Sequence, residues 1–135
     1  MATTSHPLRR SSAAVLLAAA VAVPVLAAAP AEAKGGSPAV QSGGACIGGG
    51  VWKLKAKHDA GRIEIEYQVD TNRPGQTWRV MVTDNNVFVF NATKTTTAPS
   101  GSFSLNLRPA DRPGPDVIRT KATFAGHTCT GSVTV

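Results

Sequence analysis

The chain has 135 residues with 14 basic and 8 acidic side chains, a formal net charge of +6, two cysteines and three histidines. That length holds one ordinary domain, and two cysteines with one nearby histidine, His127, make no zinc set, since no second Cys or His pair has ligand spacing. The positive balance favours anionic partners such as an acidic polysaccharide, a wall polymer or a membrane surface, and serves plain solubility equally well.

Residues 1–33 read as a secretory signal peptide. His6, Arg9 and Arg10 lie in a polar, basic opening, "AAVLLAAAVAVPVLAAA" forms the apolar stretch, and "AEA" at 31–33 has the small-x-small form of a cleavage site. Cleavage is expected after Ala33, because a cut after Ala29 would place Pro30 next to it. The apolar run is Ala-rich, Pro-broken and shorter than the roughly 20 residues of a spanning helix, so no membrane span is expected once it is removed. Arg9-Arg10 has the form of a twin-arginine signal, but Ser11 and Ser12 stand where such signals carry apolar residues. Removal takes away Arg9, Arg10 and Glu32 and leaves 12 basic and 7 acidic side chains.

Residues 34–44, "KGGSPAVQSGG", have no periodicity and read as a flexible tether. Cys46 and Cys129 belong to the exported portion, where a disulfide is the expected fate of two cysteines. From residue 45 to 135 the sequence alternates with period two, with turn signals at fairly even spacing. "VWKLKAK" (51–57) puts Trp52, Leu54 and Ala56 inward, and "RIEIEYQVD" (62–70) puts Ile63, Ile65, Tyr67 and Val69 inward. A four-residue turn between them predicts Ala56 opposite Ile63 and Leu54 opposite Ile65, with Lys55 meeting Glu64 and Lys53 meeting Glu66 on the outer face. The lysine run at 53, 55 and 57 is thereby paired with acids, so no nucleic acid is expected as partner.

"QTWRVMVTD" (76–84) directs Trp78, Val80 and Val82 inward, and "VFVFNAT" (87–93) has apolar residues in both phases. A three-residue turn keeps one coherent apolar face, with Val82 opposite Phe88 and Val80 opposite Phe90. After the polar loop 94–101 comes "SFSLNLR" (102–108). A proline-rich loop, 109–115, leads to "DVIRTKATF" (116–124), and "TCTGSVTV" (128–135) closes the chain. Seven short antiparallel strands in about 90 residues predict an all-β, seven-stranded antiparallel immunoglobulin-like sandwich over 45–135.

The run "C…VWKLK…GRIEIEYQVDTNRPGQTWRVMVTDN…GSFSLNL…GPD…TCTGSVTV" resembles small secreted proteins of actinobacteria that carry an immunoglobulin-like domain. The resemblance covers about residues 45–135. It implies export and a sandwich fold, and it implies no activity.

No catalytic motif stands out. His58 and His127 fall in turns, the acids of the exported portion fall mostly on outward positions beside basic neighbours, and "GGG" at 48–50 opens no helix. No cofactor or metal is expected. Trp52, Trp78 and Tyr67 could stack a sugar, but their inward phase assigns them to the core. The outward phase of the third, fourth and sixth strands carries Arg79, Met81, Val87, Val89, Asn91, Arg119 and Lys121. Here an apolar centre is flanked by cations, the composition of an interaction surface for a protein partner, a homodimer mate or an anionic polymer. The expected function is therefore a secreted, non-catalytic binding module. The alternative is a secreted protease inhibitor acting through loop 94–101 or loop 109–115.

Overall fold

The computed structural model describes residues 36–135, so the signal segment and the cleavage position after Ala33 lie outside the described residues. Eight strands form two four-stranded antiparallel sheets. In chain order they are β1 (Val40–Ala45), β2 (Val51–Asp59), β3 (Arg62–Asp70), β4 (Thr77–Asp84), β5 (Val87–Thr95), β6 (Ser102–Leu107), β7 (Val117–Phe124) and β8 (His127–Thr134). The first sheet runs β1-β2-β3-β6 and the second β5-β4-β7-β8. Among the described residues no helix is long and apolar enough to cross a membrane.

The eighth strand is β1, which falls within the segment expected to be a tether. Its sequence, VQSGGA, is mostly small and polar, so alternation cannot reveal it. An edge strand needs only backbone pairing, and Gln41 to Ala45 pair with Lys55 to Val51 of β2. Its glycines also make room for the Trp52 indole. A Cβ on Gly44 would lie 3.3 Å from Trp52 Nε1.

The β2–β3 hairpin differs from expectation by two residues. Ala60 and Gly61 both take positive φ, 50° and 75°, and close a two-residue turn whose twist suits the hairpin. Asp59 therefore faces Arg62, Ala56 faces Ile65, Leu54 faces Tyr67 and Trp52 faces Val69. A shift of two preserves the face, so the inward set stands, but the charge pairs change to Lys55–Glu66 at 3.9 Å and Lys57–Glu64 at 3.2 Å. The first is exposed and the second half-exposed, and each contributes a few tenths of a kcal/mol.

The β4–β5 hairpin also closes on two residues, Asn85 and Asn86, with φ of 47° and 68°. A bulge follows. Thr83 faces Phe88, whereas Val82 faces Phe90, so β5 spends one extra residue, Val89, between them. The bulge changes which side chains reach which face. Phe88 shares the outer face with Thr83 and is 58% exposed, Val89 is packed against the core, and Val87 stands opposite buried Asp84 at the rim.

Between the sheets lie Trp78, Tyr67, Leu54, Ile63, Ile65, Val69, Val80, Val82 and Ile118, all fully buried. Each large apolar side chain so buried contributes about 1.5–3 kcal/mol. Tyr67 spans the layers and donates its hydroxyl to the carbonyl of Cys129 at 3.1 Å; burial pushes its pKa up to about 12. The Cys46–Cys129 disulfide forms as expected, 83 residues apart in sequence. Beside it Ile47 exchanges both backbone hydrogen bonds with Thr128, tying the β1–β2 connection to β8 across the flank of the sandwich.

Candidate functional site

Two side-chain clusters outside the core have chemistry to offer. The first is the outer face of the second sheet, where register settles the neighbours. One row across the sheet reads Phe88, Thr83, Arg119, Ser132. The next reads Asn91, Met81, Lys121, Thr130, and the third Thr93, Arg79, Thr123, Thr128. None of these twelve positions is acidic, and three are cationic. Arg79 donates to the Asn91 amide oxygen, and Arg119 donates to Asn86 Oδ1 at 3.0 Å. Those acceptors are neutral, so they fix the guanidinium groups without cancelling their charge. Among the described residues the ion pairs involve Lys55, Lys57, His58 and Arg108, and none involves Arg79, Arg119 or Lys121.

The structure thus brings Arg79, Met81, Arg119 and Lys121 together as the sequence suggested; Phe88 joins them, Val89 turns to the core, and Val87, still exposed, stands at the rim opposite Asp84. The bulge is the physical reason. Strict alternation carried through "VFVF" assigns the phenylalanines inward. One inserted residue reverses that assignment for the first half of the strand.

The second cluster was not anticipated. It sits at the end of the sandwich formed by the β2–β3 turn, the β4–β5 turn and the β6–β7 loop. Asp84, the last residue of β4, is fully buried, as is Asp116, which immediately precedes β7. The carboxyls of Asp84 and Asp111 lie close enough to that of Asp116 to act on its charge. Asp111 Oδ2 in turn lies 3.0 Å from Nδ1 of His58. One atom from each of His58, Asp111 and Asp116 falls within 4.8 Å of the others. Asp116 Oδ1 accepts from Asn85 Nδ2 at 3.2 Å, whereas Asp116 Oδ2 and both oxygens of Asp84 have no hydrogen-bond partner. The expectation that the acids point outward therefore fails at Asp84 and Asp116. The signal was present, because both fall on the inward phase, two residues from Val82 and from Ile118.

Burial pushes the Asp116 pKa up to about 6, and the neighbouring Asp84 and Asp111 carboxyls push in the same direction. The folded chain holds a proton that the unfolded chain releases between about pH 4 and 6. Stability from this group is therefore complete below about pH 4 and is lost as pH rises through 6. In buffer free of divalent cations, urea midpoints should fall across that window, and Asp84→Asn should flatten the fall by removing one like-charged neighbour. An equally steep fall in the variant would show that the pair is not the origin.

Elsewhere the ring of His127 packs against Trp78 and Phe124, with centroids 6.1 and 6.2 Å away. A surface concavity lies over Lys53, Lys55, Glu66 and Gln68 on the outer face of the first sheet, and shares no residue with either cluster. Loop 94–101 is tied down on the β3–β4 connection. Thr96 is buried and donates to the Arg73 carbonyl at 2.6 Å, and a Cβ on Gly101 would meet Arg73 N at 2.1 Å. No family model matches the chain, and neither a curated protein nor a solved structure matches it.

Proposed function

We propose that the chain is an exported, non-catalytic binding module that engages an anionic polymer through the outer face of its second sheet. The observation that carries this reading is the acid-free grid in which Arg79, Arg119 and Lys121 stand un-neutralised around Met81 and exposed Phe88. Charges held by neutral amides remain available to an anion, and an exposed aromatic beside them adds contact area. Export is supported by the buried Cys46–Cys129 bridge, which suits an oxidising compartment. An immunoglobulin-type arrangement is supported by the strand order. Set β1 aside as an added edge, and three strands (β2-β3-β6) pack on four (β5-β4-β7-β8).

The test is co-sedimentation of the oxidised protein with whole bacterial cell wall over a salt series. Binding should weaken steeply with salt, as contacts between exposed charges are screened. The Arg79→Glu, Arg119→Glu, Lys121→Glu variant should bind at least about tenfold less, since three reversed charges each remove a favourable contact and add a repulsion. Phe88→Ser should weaken binding with little change in its salt slope. Failure to sediment at any salt concentration would remove the polymer reading and leave a protein partner, a homodimer mate included.

A further inference from the structure

Two carboxylates buried side by side are costly unless something positive stands between them. Asp84 and Asp116 are such a pair, and among the described residues no lysine or arginine forms an ion pair with either. Three of their four oxygens lack any hydrogen-bond partner. Two further donors, Asp111 and His58, converge on Asp116 from the half-exposed side. We propose that His58, Asp111 and Asp116, backed by Asp84, form a binding site for a first-row divalent cation of the Zn2+ or Mn2+ kind.

The donor set argues for that class. One imidazole nitrogen with carboxylate oxygens suits zinc or manganese, whereas calcium and magnesium prefer oxygen alone. The backbone holds the donors in place from three directions. Asp111 N donates to the Gly61 carbonyl, Asp116 is bonded through both backbone groups to Val135, and the Asn85 side chain bridges Asp116 Oδ1 and the Val117 amide. His58 and Asp111 are about one-third exposed, which gives a cation a path in and leaves a coordination position facing solvent. Both oxygens of buried Asp84, whose charge acts on Asp116, likewise lack a hydrogen-bond partner.

Thermal unfolding of the oxidised, chelator-stripped protein at pH 7 tests the site, with ZnCl2, MnCl2 and CaCl2 titrated separately. At roughly 100-fold excess over its Kd, zinc or manganese should raise Tm by about 10 °C. Asp111→Asn and His58→Gln, both in half-exposed positions, should keep the metal-free Tm within a few degrees and lose most of the rise. Isothermal titration should show one cation per chain with at least about tenfold weaker binding in each variant. Three results overturn the proposal: no shift with zinc or manganese, a shift that survives both substitutions, or a shift confined to calcium and unaffected by His58→Gln.

Discussion

Reducing the Cys46–Cys129 bridge is expected to cost the fold about 4.5 kcal/mol, the chain-entropy value for a loop of this size. The two cysteines lie 83 residues apart in sequence, spanning nearly the whole sandwich, so opening the bridge lifts a long-loop constraint from the unfolded chain. The expectation is an upper-end figure, because unfolded chains keep residual structure and the β1·β2 and β7·β8 ladders keep both half-cystines near their native places. Urea unfolding of the oxidised protein and of a Cys46→Ala, Cys129→Ala variant gives the measurement. Alanine is chosen because Cys129 is fully buried and a serine hydroxyl there would add its own cost. A difference below about 1 kcal/mol would mean that the Ile47–Thr128 contacts alone hold the flank closed.

The second large effect concerns one missing side chain. Gly131→Ala on β8 is expected to destabilise by about 3 kcal/mol, or roughly 15 °C in Tm. A Cβ there would stand 2.4 Å from Trp52 Cζ3 and 2.8 Å from Cη2. The obstacle is a rigid ring. Trp52 is held in turn by Gly44 on β1 and by its own place in the core, so it has nowhere to retreat. The coupling is specific and can be measured. In a Trp52→Leu background, Gly131→Ala should cost less than half as much, because the atoms it would strike are gone. Equal cost in both backgrounds would assign the effect to the β8 backbone instead.

Strand phases were legible in the sequence because burial between two sheets writes every second residue apolar, from Trp52 to Val133. The two-sheet partition followed from the same pattern. Register was less legible, because turn chemistry decides it. Ala60 adopts a left-handed conformation that its side chain does not advertise, so "HDAG" looked like a four-residue turn when "AG" was enough. The Val89 bulge left no sequence mark at all, since valine and phenylalanine are equally at home on either face. Strand β1 was hidden for the opposite reason, as an edge built of Gly and Ser carries no alternation. Asp84 and Asp116 are the instructive case. Their phase placed them inward, and their charge argued them outward. Period outweighed charge, and both acids are fully buried at the end of the sandwich where Asp111 and His58 also lie.

The Cys46–Cys129 bridge also decides how the domain would carry tension. A pull applied upstream of Cys46 and downstream of Cys129 passes through the two sulfur atoms and leaves the enclosed ladders slack. Only β1 and the residues of β8 beyond Cys129 can peel away under load. The chain between the cysteines, 83 residues apart in sequence, would otherwise yield about 27–30 nm of extra length, and it is shielded from load until the sulfurs are reduced. Oxidised, the protein behaves under stretch as a short inextensible link, and reduction converts it into a spring.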